Sequence, residues 1–236
     1  MEFSLTHNIP RGDIGVAVVA ASGLNGGAPL DPETERELAA LLEARKDSPL
    51  TPDEEKRRAA CRDMLRNGSY KPTGRGKPAS EYLLGAAKEG AFPRVCAPVD
   101  VNNFISLKYV LPISLWDAGR CSAAAFEFRL GRAGEKYVFN NSGQEIDLRD
   151  LVCGCEVLPD GGSRPIVNPI KDGMATKVRP ETAAVIGAIF YPLDAISRAE
   201  IDAAAGEFLA KLLRGSSLAS GGKVLLAPGE GTLLTC

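Results

Sequence analysis

Histidine and tryptophan are almost absent from this chain, which has one of each among 236 residues, and its six cysteines are scattered. The single histidine, His7, falls in a segment that alternates like a strand. It leaves no convincing Ser-His-Asp or Cys-His arrangement, because those need histidine beside the nucleophile. Cys153-Gly154-Cys155 is the one close cysteine pair, and no second pair stands ready to complete a zinc tetrahedron. The thiols are therefore expected to be buried, idle groups, with no metal and no cofactor. A basic excess is also missing: 28 Lys and Arg face 30 Asp and Glu, for a net charge of −2. Contact with nucleic acid would have to rest on a local patch, and DNA is not an expected partner. No apolar run approaches the ~20 residues that span a bilayer, and the opening MEFSLTHNIPRGD has neither a basic nor an apolar leader region. These absences predict a cytoplasmic protein with no membrane partner. The glycine-rich stretch Ser22 to Pro29 lacks the Gly-Lys-Ser/Thr ending of a phosphate-cradling loop.

What remains is ordinary globular material, 44% hydrophobic and 25% charged, long enough to bury a full core. Phe3 to Ile9 alternates, and Ile14 to Val19 is a short β-branched run, so both read as strands. Arg11-Gly12-Asp13 between them reads as a turn. Asp31-Pro32 opens a helix over Glu33 to Arg45, and Thr51-Pro52-Asp53-Glu54, a capping box, opens another to about Asn67-Gly68. Together they predict a helical hairpin over about 31–68. A third helix runs from Pro78 to Lys88, and Gly90 ends it. Strand-like runs follow at Ala124 to Leu130, Tyr137 to Phe139, Ile146 to Leu148, Cys155 to Leu158 and Ala183 to Tyr191. Ser197 and Glu200 form a second capping box, opening an amphipathic helix to Leu213. Gly215 to Gly222 reads as a flexible linker, and Val224 to Ala227 as a last strand. The expectation is a single domain over 1–236, of α+β class, with a mixed or antiparallel sheet and flanking helices.

Three segments carry chemistry. The run RNGSYKPTGRGK holds Arg66, Lys71, Arg75 and Lys77 with no acid among them. It is either a solvated loop or a surface for a phosphate backbone, which needs positive charge rather than sequence. Ala97 to Asp117 reads APVDVNNFISLKYVLPISLWD, and Met174 to Thr182 reads MATKVRPET before an apolar run of strand length.

In order and spacing these two motifs resemble the tRNA-binding and editing module of the phenylalanyl-tRNA synthetase beta subunit, of the type called B three/four. Asp100, Asn102, Asn103, Pro112, Trp116 and Asp117 fall on the first family pattern, and Thr176, Val178 and Thr182 on the second. The basic loop followed by Ser80-Glu81-Tyr82-Leu83-Leu84 looks like stand-alone versions of that module. The resemblance covers roughly residues 60 to 195. It implies the editing-domain fold and a partner in tRNA or aminoacyl-tRNA, with hydrolysis of a mischarged ester in trans. It implies no ligase activity, since the chain is too short for an aminoacylation core and has no ATP-binding motif. By this resemblance Asn103, Ser114 and Lys177 are the candidate catalytic residues. Asn102, Pro112, Thr176 and Gly187 are candidates for the substrate pocket, and Arg66, Lys71, Arg75 and Lys77 for tRNA contact.

Each candidate keeps a plainer reading: Asn103 as a helix cap, Ser114 as filler, Lys177 as a solvated cation. Asp100 and Asp117 are expected to serve turns and helix caps rather than paired acid-base work. Two departures bear on specificity. The family histidine falls on Ser114, and the glutamate that recognises the hydroxyl of a mischarged tyrosine falls on Gly187. Recognition of a phenolic hydroxyl depends on a dedicated polar partner, so tyrosine specificity is not expected to carry over, and the pocket is expected to be larger. A non-catalytic module for tRNA or an amino-acid-like ligand stands beside the editing hydrolase as the alternative.

Overall fold

In the computed structural model, which describes residues 1–236, the chain forms two stacked sheets with helices over the outer face of one. The strands are β1 (Glu2–His7), β2 (Ile14–Ser22), β3 (Ile113–Asp117), β4 (Ala125–Leu130), β5 (Lys136–Val138), β6 (Glu145–Asp147), β7 (Val152–Val157), β8 (Ser163–Val167), β9 (Ala184–Pro192), β10 (Ser220–Leu226) and β11 (Gly231–Thr235). The helices are α1 (Pro32–Asp47), α2 (Pro52–Asp63), α3 (Ala79–Lys88), α4 (Ala97–Tyr109) and α5 (Arg198–Leu213). One sheet has the order β11-β1-β4-β7-β8 and is mixed, because β1 runs parallel to β4 and the other pairs are antiparallel. The other, β10-β2-β9-β3, is antiparallel throughout. This is the α+β architecture expected from the sequence, with sheets and flanking helices.

The strands β2 and β9 are the central pair of the second sheet. They are covered on both faces, which is why both read as unbroken apolar runs rather than alternations. On one face the two sheets meet through aromatic rings: Phe128 of β4 lies edge-on to Phe190 of β9 at 6.0 Å, and Phe126 edge-on to Trp116 at 5.4 Å. On the other face α5 packs across β2. Gly187 lies under that helix, where a Cβ would stand 2.6 Å from the ring of Phe208.

The helix starts obey the capping rules. Asp31 accepts the Thr34 amide, and Thr51–Glu54 and Ser197–Glu200 form complete capping boxes. The second helix ends at Asp63, earlier than expected: the Leu65 and Arg66 amides turn back to the Arg62 and Asp63 carbonyls, and Gly68 then turns the chain with a positive φ. The linker expected at Gly215 to Gly222 is corrected in its second half. Residues Ser220 to Gly222 begin β10, paired with β2. A Cβ on Gly221 would lie 2.4 Å from the Ala20 carbonyl oxygen, and one on Gly222 2.4 Å from that of Thr235. These glycines permit close backbone approach, and their number in the sequence imitates flexibility. Strands β3, β8 and β11 are not among those expected from the sequence.

Candidate functional site

A cavity of about 800 Å³ opens at the edge of the second sheet, between α3, the first half of α4, strand β3 and the segment 168–178. Its walls are apolar, formed by Leu83, Val99, Ile113, Leu115, Ile170 and Val178 among others. The helix α4 is set by Pro98 in its first turn, and Asp100 secures the approach to it by accepting the Val95 amide (2.7 Å) and the Arg94 Nε–H (2.8 Å). Strand β3 is tied to the second motif. The Asp117 amide donates to the Thr176 carbonyl at 2.8 Å, and the Thr182 hydroxyl donates to the Asp117 carboxylate at 2.7 Å. Asp117 also accepts the Gly119 amide at the start of a short 3-10 turn. The two motifs are thus one wall, and Asp100 and Asp117 do the turn and capping work expected of them.

Four cations line the cavity: Arg75, Lys77, Lys171 and Lys177. None of them is in an ion pair, whereas Glu81, an acid of the same wall, is held by Arg58 and Arg62. Lys171 lies over the ring of Phe139, 4.0 Å from its centroid. Burial, with the Arg75 charge nearby, holds its ammonium below the usual lysine range. The remaining acid is Asp172. Burial pushes its carboxyl up to about 6, against the pull of the Leu115 amide and the Lys177 charge. Its Oδ2 accepts the Leu115 amide at 3.1 Å.

Two amides on the wall are incompletely paired. Asn102 donates through Nδ2 to Asn103 Oδ1 at 3.3 Å, while its own buried Oδ1 has no partner. Asn168 accepts the amides of Ile170 (2.8 Å) and Lys171 (2.9 Å), and its buried Nδ2 has none. Buried polar groups are nearly always paired with protein, water or ligand; Asn102 Oδ1 and Asn168 Nδ2 have no partner within the protein, as is also true of Trp116 Nε1 and the Thr176 hydroxyl away from the cavity.

The candidates from the sequence divide. Asn102, Asn103 and Lys177 line the cavity, and so do Arg75 and Lys77 from the basic loop. Asn103 stands in the middle of α4, which rules out the capping role. Ser114 is fully buried behind the wall, donating to the Asn168 carbonyl at 2.9 Å, so it reaches the site through its neighbours. Pro112 is buried and its carbonyl accepts the Phe190 amide; Thr176 is buried on the Asp117 side; neither lines the cavity. Gly187 shares the face of Leu115 but is capped by Phe208, so the larger pocket expected from its missing side chain does not exist. Arg66 pairs with Asp63 at 3.5 Å from outside the basic run, and Lys71 is exposed away from the cavity. The histidine is remote: His7 is buried with its Nε2 against the Ile14 carbonyl at 2.9 Å, and burial lowers its pKa.

Sequence reasoning missed Phe139, Asn168, Lys171 and Asp172. The last three sit in Asn168-Pro169-Ile170-Lys171-Asp172-Gly173, whose Asn-Pro and Asp-Gly pairs signal a turn and nothing more. That turn lies directly before the second motif, which was the available hint. No set of three or more His, Cys, Asp and Glu side chains is grouped to hold a metal ion. Cys153 and Cys155 are buried in β7, where burial pushes both thiols up.

The fold and site define an α+β protein with a cation-lined apolar cavity. No helix is long and apolar enough to cross a membrane. No family model matches the sequence, and no curated protein matches it. Among solved structures it is similar to an N-terminal fragment of the phenylalanyl-tRNA synthetase beta-subunit from Pyrococcus horikoshii, at 12% identity and a TM-score of 0.40, over 88% of this chain and 49% of that one. The chain thus spans about half the length of that fragment.

Proposed function

We propose that this cavity receives the aminoacylated 3′ end of a tRNA and that the protein hydrolyses the ester in trans, with an amino-acid preference other than tyrosine. The observation that carries the reading is convergence on one cavity. Asn102 and Asn103 of the first motif, Lys177 of the second, and Arg75 and Lys77 of the basic loop come from three separate stretches of chain. The volume is within the usual range for small-ligand sites. The apolar walls suit an amino-acid side chain, and unpaired cations suit the phosphates behind it.

In this reading the ionised Asp172 accepts a proton from a water that Asn103 orients, and the oxygen attacks the ester carbonyl. The Lys177 ammonium stabilises the oxyanion as it develops. Collapse breaks the bond to the ribose oxygen, which takes the proton back from Asp172. Free amino acid and an intact tRNA hydroxyl leave. A carboxyl near 6 is ionised at neutral pH yet still basic enough for this task.

One observation favours the alternative, a module that binds without turnover: the Ser114 hydroxyl is committed to a backbone carbonyl and His7 is remote, so the cavity has no activated nucleophile. A deacylation screen across mischarged tRNAs separates the readings. Multiple turnover that is lost in Lys177→Ala and Asp172→Asn supports the hydrolase. Tight binding without turnover selects the module, and the absence of both removes each reading.

A further inference from the structure

The mouth of the cavity carries a feature that neither the apolar walls nor the ester chemistry uses. Tyr82 lines the cavity yet is 70% exposed, and Val95, on the same lining, is 59% exposed. Tyr82 stands on the second turn of α3, a helix fixed to α2 by Glu81 with Arg58 and Arg62, so the ring is presented from a rigid element. Arg75 and Lys77, a few residues before it, are unpaired cations on the same lining. An exposed aromatic face beside free cations is the arrangement by which proteins hold single-stranded nucleic acid, the base stacked on the ring and the phosphate on the cation.

We infer that Tyr82 is a stacking platform for a nucleobase of a single-stranded 3′ end, with Arg75 and Lys77 holding the adjoining phosphates. The inference rests on the tRNA reading above and names the residue that would grip the base outside the ester. The Tyr82 side chain is exposed and belongs to neither hydrophobic cluster, so its truncation should leave folding intact. The ring would orient the terminal nucleoside so that the aminoacyl group enters between Val99, Leu115 and Val178.

The test uses a labelled oligoribonucleotide ending in single-stranded ACCA, the same oligonucleotide with an abasic 3′ residue, and deacylation kinetics on mischarged tRNA. Tyr82→Ala is expected to weaken oligonucleotide binding about tenfold or more, and Tyr82→Trp to retain it. The abasic end should cost wild-type protein a similar factor and cost Tyr82→Ala little further, as in a double-mutant cycle. Equal affinity of wild type and Tyr82→Ala, with KM for deacylation also unmoved, overturns the platform and leaves the hydrolase reading standing. Binding that depends on Tyr82 without any deacylation keeps the platform and removes the hydrolysis. No binding of the oligonucleotide by wild-type protein overturns the platform, and the deacylation assay then decides the hydrolase reading separately.

Discussion

Asp172→Asn is the perturbation that separates the cost of this site from its use. Burial raises the carboxyl from 3.8 to about 6 in the folded protein, so the folded state holds its proton more tightly than the unfolded chain. Well below pH 3.8 both states are protonated and the residue contributes no pH-dependent stability. Stability then falls as pH rises from about 4 to about 6, where the folded protein keeps a proton the unfolded chain has released, and the full cost is present above that window. That difference in pKa corresponds to roughly 3 kcal/mol. Water entering the cavity screens the carboxylate, which brings the expected effect to roughly 1–2 kcal/mol. The amide oxygen of asparagine can still accept the Leu115 amide, so the bond at 3.1 Å need not be lost. Asp172→Asn should therefore be more stable than wild type by about 1–2 kcal/mol at pH 7.5 and much closer to it at pH 4, by urea unfolding at both values. Deacylation by wild type should rise with pH through about 6 and level off, and the variant should lose that activity. A variant no more stable at pH 7.5 than at pH 4, relative to wild type, would refute the claim that burial strains this carboxylate.

Three further outcomes follow from the same geometry. Arg75→Ala and Lys77→Ala should each weaken RNA binding and reduce its salt slope by about one, with no change in urea midpoint, since neither is ion-paired; Lys71→Ala, outside the cavity, should change binding far less. Gly187→Glu should cost about 3 kcal/mol or more and confer no tyrosine preference. Its Cβ would meet the Phe208 ring at 2.6 Å, and a soluble variant with wild-type stability would contradict that packing. Thr182→Val leaves a buried acceptor of Asp117 short of its 2.7 Å hydroxyl donor and should destabilise by about 1–3 kcal/mol by thermal or urea unfolding.

Local structure was legible wherever a short-range rule governs it. Asp31, Thr51 and Ser197 announce their helices because a capping side chain bonds within three residues of itself. The apolar runs of β2 and β9 announce burial on both faces. The reading failed where a residue's meaning depends on distant backbone. Gly221 and Gly222 suggested flexibility, and only the positions of Ala20 and Thr235 reveal close packing. Gly187 suggested an enlarged pocket, and only α5, arriving from residues 198–213, reveals that the space is filled.

The candidate site divides along the same line. The acid-free basic run singled out Arg75 and Lys77 from the sequence itself, and the resemblance of the two motifs to the synthetase module singled out Asn102, Asn103 and Lys177. Whether those residues share a cavity, and which of their neighbours matter, is a property of three dimensions. Asp172 is an unremarkable turn aspartate until Leu115, Ser114 and Lys177 surround it, for a pKa shift is set by burial and charges brought together from residues far apart. Ser114 is a candidate for the pocket until its hydroxyl is found on the Asn168 carbonyl. Sequence alone determined the class of fold and pointed to the segments proposed to carry chemistry; tertiary structure decided which side chains face the cavity, because exposure and electrostatic environment depend on atoms that the chain brings together only by folding.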